Sequence, residues 1–393
     1  MPSRLCLLIC CLCLTLSGRA VIAETRLTVE HLCSALNAEL EGRPTANDLT
    51  FVFRPHKSNW RVATANKNDA AGKPDLHIRL TPPCVPRLAR QVKRDTSGAV
   101  QAIEILGPDL KTVIDVEPQN PPFPPASPTE APLLALVDTG VNYLLPAFQD
   151  SLAVTSDGGL FGYDFWDNDD RPFDSDPRRN LFFPLHHGST VFSVLVAEAP
   201  GLPVAIYRFP APEMCRFGAM IDTIADAGIR IVNMSMGSRD RNDWACFADA
   251  AGRHDHILFV VSAGNDGENI DSSPIYPAAL ALQNMIVVTS GDEFGRLDPA
   301  SNYGQLNVDI MVPAEAVPVI DHRGVRSDTG GSSYAAPRVA ALATRFLKAR
   351  QEASTQDIID YLVWRTIKHS DLQTRHGWIP DPTDDYGFTK WRN

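Results

Sequence analysis

From residue 133 onward, the chain alternates short, nearly uninterrupted apolar runs with longer stretches whose apolar residues recur at helical spacing. The apolar runs predict strands at Leu133–Val137, Val204–Arg208, Ile229–Met234, Ile257–Ser262, Met285–Thr289 and Val308–Val312. The longer stretches predict helices at His187–Glu198, Met214–Ala227, Asp243–His254, Tyr334–Lys348 and Thr355–Thr366. Strands that are apolar on both faces and alternate with helices are typical of a parallel sheet covered on both sides, so this region predicts an α/β fold.

Residues 24–117 carry a different pattern, which predicts a smaller α+β region. Leucines at helical spacing predict a helix at Leu27–Leu40. Short apolar runs then predict strands at Leu49–Phe53, Trp60–Thr64, Leu76–Leu80, Ala99–Leu106 and Lys111–Val116. Residues 118–132 are rich in proline and predict a stiff, extended linker, which we take as the boundary before a second domain at residues 133–393.

Residues 1–23 predict a secretory signal peptide. Arg4 precedes an apolar run from Leu5 to Leu16, and small residues follow near Ala20 and Ala23. The run is shorter than the ~20 residues that a membrane-spanning helix needs, and no later stretch is long enough. We therefore expect a protein that is secreted or exported to a periplasm and that has no membrane span.

Four cysteines remain after the predicted signal peptide: Cys33, Cys84, Cys215 and Cys246. An even number of cysteines in an exported chain favours disulfides. Two of them lie in each half of the chain, so we expect Cys33 to pair with Cys84 and Cys215 to pair with Cys246. The alternative is that the four are buried free thiols.

Composition and charge narrow the class of protein. The 393 residues are 44% hydrophobic and 21% charged, which is ordinary for a globular protein with room for two domains. The formal net charge of -11 argues against a nucleic-acid partner.

Four polar residues stand where functional groups gather in a parallel sheet, at the carboxyl ends of strands and the beginnings of helices. Asp138 follows the first predicted strand, and Asn265 comes shortly after the fourth. His187 begins a helix that is apolar almost all round. Ser333 follows two glycines at the start of another helix, where free N–H groups favour developing negative charge.

Together these residues predict acyl-transfer chemistry. Ser333 would attack a carbonyl carbon, and His187 would take its proton. Asp138 would hold the imidazole and stabilise the imidazolium, and Asn265 would donate a hydrogen bond to the oxyanion. Each residue also has a plainer explanation, as a turn residue, a helix cap or part of a loop, but all four at the edge of one sheet favour catalysis.

The order Asp, His, Ser resembles that of the subtilisin-like serine proteases, the subtilases. Five segments resemble motifs of this family: Val137-Asp138-Thr139-Gly140, His187-Gly188-Ser189-Thr190-Val191, Asn233-Met234-Ser235-Met236-Gly237, Ser262-Ala263-Gly264-Asn265-Asp266-Gly267 and Gly331-Ser332-Ser333-Tyr334-Ala335-Ala336-Pro337. The resemblance covers about residues 131–393. It implies a serine endopeptidase with the family's three-layer α/β sandwich around a mainly parallel sheet.

The resemblance also implies how a substrate would bind. Subtilases pair the peptide, as an added strand, with the segment that matches Ser235, Met236 and Gly237. Ala263 and Gly264 would line the primary specificity pocket; alternatively, they are small only so that the sheet can pack. We expect a peptide or protein substrate, a monomeric enzyme and no cofactor required for the chemistry.

The chain departs from the family pattern at a few positions. Ser332 stands where threonine is usual, and Thr190 stands where the family has a second histidine. Phe192-Ser193 replace a common Ala-Gly pair. These changes concern local packing. The predicted base is His187 rather than its neighbour His186, because only His187 precedes a glycine.

An acidic loop at residues 164–170 lies between the aspartate and histidine motifs and continues to Asp174 and Asp176. Oxygen ligands this dense suit a structural calcium ion, with Asp167 and Asp169 as the candidate ligands. The spacing matches no defined calcium loop, and many subtilases have a similar acidic loop that contacts substrate. We favour the alternative of a solvated acidic surface.

Three further alternatives remain open. The triplet at Asp138 recurs as Asp328-Thr329-Gly330, which could supply the carboxylate pair of an aspartic protease, although that fold is almost all β. An inactive subtilase-like binding module is also possible, but nothing in the sequence supports it. Residues 24–117 would be either an inhibitory prodomain or a retained accessory domain.

Overall fold

The computed structural model describes residues 27–44, 48–368, 373–388 and 390–391. The predicted signal peptide at residues 1–23 lies outside them. The chain divides into two compact units: residues up to Ala89 with Leu106–Ile114 form the first, and Arg90–Ile105 with Asp115–Asn393 form the second. The domain boundaries that we placed at residues 23, 117 and 132 stay predictions.

The described residues of the N-terminal region form one α-helix and one sheet, as the sequence predicts. The elements are α1 (Val29–Leu40), β1 (Leu49–Arg54), β2 (Val62–Asn68), β3 (Pro74–Thr81), β4 (Val85–Arg94), β5 (Val100–Leu106) and β6 (Val113–Pro118). The strands are hydrogen-bonded in chain order, and β2 is antiparallel to both β1 and β3. Strand β4 was not predicted, because its sequence VPRLARQVKR has no continuous apolar run.

The core of the first unit forms where α1 packs its apolar face. Leu32 and Leu36 of α1 are fully buried together with Ile78 and Leu80 of β3. Thr28 begins the helix, because its hydroxyl accepts the His31 N–H.

The described residues after 133 contain ten strands: β7 (Leu134–Asp138), β8 (Gly162–Asp164), β9 (Val204–Arg208), β10 (Ile231–Met234), β11 (Leu258–Ser262), β12 (Met285–Gly291), β13 (Ile310–Pro313), β14 (Val317–Ile320), β15 (Arg326–Thr329) and β16 (Gly377–Trp378). Eight of them form one sheet in the order β16-β13-β12-β11-β10-β7-β9-β8. Every neighbouring pair in this sheet is parallel. Strands β14 and β15 form a separate antiparallel hairpin.

In the part of the chain that the structure describes, the α-helices that cover the sheet are α2 (Gly188–Glu198), α3 (Phe217–Asp226), α4 (Ala245–Arg253), α5 (Ser332–Ala349) and α6 (Thr355–Trp364). Side chains alternate along β7, so that Leu134 and Leu136 join the core with α2, α5 and α6. Ala135 and Val137 join a second core with α3 and α4. The predicted three-layer α/β sandwich around a parallel sheet is therefore confirmed.

Both predicted disulfides are present. Cys33 of α1 is bonded to Cys84 with a Cα–Cα distance of 5.8 Å. Cys215, just before α3, is bonded to Cys246 of α4 with a Cα–Cα distance of 5.0 Å. The second bridge ties together the two helices that share one face of the sheet. Across the described ranges, no helix combines the length and the apolar character required to cross a membrane.

Candidate active site

Asp138 is the last residue of β7, at the carboxyl edge of the sheet, and only 1% of its side chain is exposed. Its Oδ1 accepts the Thr139 N–H at 2.7 Å and lies 2.8 Å from Nδ1 of His187. Its Oδ2 is buried and has no hydrogen-bond partner among the described residues. A buried carboxylate is costly unless an opposite charge or hydrogen bonds compensate it, and the imidazole can supply both.

His187 immediately precedes α2, and its side chain is 30% exposed. The helix holds it firmly, because Val191 and Leu195 are fully buried in the core. Gly188 is required by the close approach of α2 to β7, since a Cβ at that position would collide with the carbonyl oxygen of Gly140. The glycine after the histidine, which identified His187 in the sequence, is thus a packing requirement.

The environment of His187 favours its charged form. Burial lowers the pKa of the imidazole, but the charge of Asp138, the hydrogen bond to it and the charge of Asp174 outweigh that effect. The net result is that the pKa of His187 is raised above its usual value.

Ser333 lies in the first turn of α5 and is half-buried. Its carbonyl oxygen accepts a hydrogen bond from the Ser235 hydroxyl at 2.8 Å, which ties the start of α5 to the segment after β10. The ring centroid of the next residue, Tyr334, lies 6.2 Å from that of His187. The first turns of α2 and α5 therefore meet at the same edge of the sheet.

Asn265 follows β11 and is exposed. Its Oδ1 accepts the Ser332 N–H at 2.8 Å and lies 3.0 Å from the Ser332 hydroxyl. Gly331 has φ +118, and a side chain there would press against Asn265, so the glycine is needed for this contact. The Nδ2 amide of Asn265 has no hydrogen-bond partner in the described part of the chain. It is therefore free to donate to a ligand.

The predicted substrate-binding residues differ in how far they are exposed to solvent. Ser235 is buried, Met236 is half-buried and Gly237 is exposed. Ala263 is fully buried within the core that α3 and α4 share, whereas Gly264 is partly exposed.

The acidic loop is held by arginines. The guanidinium of Arg208, which is 2% exposed, is within 2.8 Å of Asp164 and 2.6 Å of Asp167. Asp169 pairs with Arg171 at 2.8 Å. Asp164 is buried and paired with Arg208, which differs from the solvated surface that we favoured, whereas Asp167 and Asp170 are exposed as that interpretation expects. The residues that the structure describes contain no group of three or more metal-ligating side chains, and a structural calcium ion stays a prediction.

The two Asp-Thr-Gly triplets do not form a carboxylate pair. Asp138 is buried and is hydrogen-bonded to Thr139 and His187. Asp328 is exposed in β15, where it is in register with Pro318. Asp138 and Asp328 thus do not supply the carboxylate pair that an aspartic protease requires.

Two residues of the site received no role from the sequence. The Thr139 hydroxyl accepts the N–H groups of His187 at 3.1 Å and Gly188 at 2.7 Å. It is 2.5 Å from Oδ1 of Asp174, whose Oδ2 accepts the Ser189 N–H at 2.9 Å. No linear pattern distinguishes Asp174 from the other aspartates of the acidic loop, because its position depends on how the loop folds back over β7.

A model of the subtilase family matches residues 129–384. The chain belongs to this family. It is 27% identical over 224 residues to the thermophilic serine proteinase of Bacillus sp. (strain AK1), covering 53% of this chain and 50% of that protein. It is 26% identical over 245 residues to a halolysin-like extracellular serine protease of Natrialba magadii, covering 58% and 42%. The chain thus spans about half the length or less of these two relatives.

Solved structures share the fold. An epidermin leader peptide processing serine protease from Staphylococcus aureus superposes with a TM-score of 0.53 at 17% identity, covering 68% of this chain and 78% of that one. The A-subunit of the AB5 toxin from E. coli gives a TM-score of 0.52 at 18% identity, covering 67% and 94%.

The site geometry makes a prediction about the titration of His187. We expect its pKa in the native protein to lie above the ordinary value of about 6.5. In Asp138→Asn the pKa should fall below that value, because burial remains while the opposing charge is lost. Histidine side-chain NMR, assigned with His187→Ala, measures both pKa values.

The interaction between Asp138 and His187 also contributes to the free energy of unfolding, and this contribution depends on pH. Because the native pKa is raised, the interaction contributes fully below the pKa of histidine in the unfolded chain and is lost as the pH rises through the native pKa. An unchanged pKa in Asp138→Asn would show that the 2.8 Å contact carries no charge interaction.

Proposed function

We propose that the protein is a secreted serine endopeptidase that hydrolyses peptide bonds through Asp138, His187 and Ser333. The observation that carries this proposal is the 2.8 Å contact between buried Asp138 and His187, at the edge of the sheet where α5 begins with Ser333 in its first turn. Membership of the subtilase family supports it, as do relatives that are themselves called serine proteinases.

The proposed mechanism uses an acyl-enzyme. With the Nδ1–H of His187 donated to Asp138, its Nε2 is the basic nitrogen. Nε2 takes the proton of the Ser333 hydroxyl as the oxygen attacks the peptide carbonyl, and Asp138 stabilises the imidazolium. His187 then gives the proton to the departing amine. A water molecule, deprotonated by the same histidine, hydrolyses the ester and restores Ser333.

The charge that develops on the carbonyl oxygen needs donors. The free Nδ2 amide of Asn265 and the Ser333 N–H, at the N-terminus of α5, are the groups that we assign to it. Because Ser332 holds Oδ1 of Asn265, the amide group is oriented before substrate binds. The peptide would add as a strand beside Ser235–Gly237, and we propose a monomer with no cofactor in the chemistry.

Secretion is part of the proposal. Two disulfides are typical of a protein that leaves the reducing cytoplasm, and the relative from Natrialba magadii is described as extracellular. The predicted signal peptide at residues 1–23 would direct this export.

We also propose that the segment after β6 stays with the mature enzyme. Gln119 and Asn120 are only 6% and 7% exposed. The Ser175 hydroxyl donates to the Gln119 amide oxygen at 2.7 Å, and the Asn120 amide donates to Asp169 at 2.7 Å. Removing the chain up to residue 132 would strip these partners from the loop beside the candidate site. An accessory region therefore fits better than a prodomain cut off at the linker.

N-terminal sequencing of active protein purified from culture medium tests this. We expect a first residue upstream of Arg90, because Arg90 is itself paired with Glu117 within the second unit. A mature chain that starts between residues 121 and 133 would contradict the proposal.

A second prediction concerns the oxyanion donor. Asn265→Ala should lower kcat about 10²–10³-fold with little change in KM, because the amide would act mainly in the transition state. Asn265→Asp is the matched variant, since it keeps the oxygen that accepts the Ser332 N–H but lacks the donor. Wild-type kcat in Asn265→Asp with a loss in Asn265→Ala would mean that anchoring, not donation, is the role of Asn265.

The third prediction separates the serine from the aspartic mechanism. A fluorophosphonate should label Ser333, and Ser333→Ala should abolish labelling and nearly all turnover. Asp328→Asn should be almost harmless. Activity should rise with pH through the raised pKa of His187, because only the neutral imidazole accepts the proton.

Peptidase assays of Ser333→Ala and Asp328→Asn side by side at pH 4 and pH 8 distinguish the serine from the aspartic mechanism. Activity that survives in Ser333→Ala and is lost in Asp328→Asn would overturn the proposed function.

A further inference from the structure

We infer that Asp174 is a positioning residue for His187, acting through the Thr139 hydroxyl and the first turn of α2. The inference rests on the proposed function, because it takes His187 as the general base. Asp174 does not contact the reacting atoms. It holds the backbone from which the imidazole projects, and its charge faces the imidazolium that forms during the reaction.

The Thr139 hydroxyl, directly after β7, connects this strand to the start of α2 through hydrogen bonds. It has two lone pairs and one proton. The N–H groups of His187 and Gly188 point to its oxygen at 3.1 Å and 2.7 Å. The proton then belongs to the bond with Asp174, which is 2.5 Å away, rather than to the contact with Asp138 at 3.3 Å. Asp174 thus fixes the direction of the hydroxyl that fixes His187.

The other carboxylate oxygen of Asp174 acts on the helix directly. It accepts the Ser189 N–H at 2.9 Å, which is one of the free donors at the start of α2. The two oxygens of one carboxylate therefore hold the start of α2 by two routes. His187 lies between these contacts, so its backbone has little freedom to turn.

The charge of Asp174 is the second observation. Its side chain is fully buried, and its hydrogen-bond partners in the described ranges, Thr139 and Ser189, are both uncharged. A neutral asparagine could accept only one of these two hydrogen bonds, because its Nδ2 is a donor and would face either the Ser189 N–H or the Thr139 hydroxyl. The carboxylate is therefore needed for its two acceptor oxygens, and its buried charge is compensated further where positive charge appears nearby. The helix N-terminus supplies a partial one, and the imidazolium of His187 supplies a full one.

The loop around Asp174 is fixed on both sides. Phe173 is buried in the core, and the Ser175 N–H donates to the Thr139 carbonyl at 3.0 Å. The Arg208 guanidinium donates to the Ser175 carbonyl at 2.6 Å. The carboxylate is therefore held in place by its neighbours rather than by its own contacts alone.

Several titratable groups face this assembly and must be considered in any pH experiment. His187 faces Asp138 from β7, Asp174 from the loop and Tyr334 from α5. The carbonyl oxygen of Asp174 lies 2.6 Å from Nδ1 of His186. The His186 ring stacks on that of His322, from the turn between β14 and β15, at a centroid distance of 3.6 Å. Burial and the proximity of His186 lower the pKa of His322 to about 4.

The direction of the electrostatic effect is consistent with this role. Burial lowers the pKa of His187, the charge and hydrogen bond of Asp138 raise it, and the charge of Asp174 raises it further. Removing the charge of Asp174 must therefore lower the pKa of His187.

The test is Asp174→Asn in the full-length protein. We expect the acid limb of the kcat/KM profile, and the His187 pKa measured by NMR, to move to lower pH by about 0.5–1 unit. On the plateau, kcat should fall about 3–10-fold, which is the same shift expressed as lost stabilisation of the imidazolium. KM for a peptide substrate should change little.

Asp176→Asn is the matched control. This aspartate lies two residues away in the same loop and is also buried, but its side chain is paired with Arg178 and does not contact Thr139 or α2. It should leave the acid limb and the His187 pKa unchanged. An equal shift in both variants would overturn the inference, because it would report only the general negative charge of the loop.

Thr139 supplies the second test, which also applies if Asp174→Asn does not fold. Thr139→Val removes the hydroxyl and should lower kcat about tenfold or more, as expected for a misplaced base. Thr139→Ser restores the hydroxyl and should recover most of that loss. Wild-type kcat in Thr139→Val would overturn the inference.

The outcomes distinguish the inference from the proposed function. If fluorophosphonate does not label Ser333 in the wild type, the proposed function fails. If the wild type is labelled and active while Asp174→Asn keeps the wild-type pH profile, His187 pKa and kcat, only the role of Asp174 is refuted.

Discussion

The burial of the Asp138 carboxylate at the end of β7 is the constraint on which the rest of the site depends. A side chain that is 1% exposed cannot remain charged without compensation, and the imidazole of His187 is its charge-bearing partner. For the imidazole to reach it, α2 must begin directly beside the strand. That approach excludes a side chain at Gly188 and requires a hydroxyl at Thr139 to accept the first N–H groups of the helix.

Much of this arrangement could be predicted from the sequence. The central strands are buried on both faces, so β7, β9, β10 and β11 appear as apolar runs, and functional residues follow from where those runs end. Elements that depend on tertiary contacts could not be found in this way. Strand β8 has only three residues, and β15 is the polar sequence RSDT, which forms a strand only because β14 pairs with it. The role of Asp174 could not be found from the sequence either, because its position also depends on tertiary contacts.

The tertiary contacts of the proline-rich segment at residues 118–132 could not be predicted from its composition either. Its composition predicts a stiff, extended linker, and residues 121–132 form neither helix nor strand in the structure. Composition does not predict that Gln119 and Asn120 at its start are buried, or that the ring of Phe123 packs against Tyr143 with centroids 5.4 Å apart. Proline fixes the backbone without forming hydrogen bonds of its own, so the side chains between prolines decide what the segment contacts. An extended linker and a segment that packs against the domain can therefore have nearly the same composition.

The parallel order of the sheet has a consequence for how the active protein arises. Parallel neighbours need long crossover connections, and contacts between residues far apart in sequence slow folding. Asp138 and Ser333 are brought to one edge only when the strands between them have taken their places. A chain still emerging from the ribosome, or crossing a membrane unfolded, therefore has no assembled candidate site. The proposed proteolytic activity can arise only after the strands between these two residues have formed the sheet.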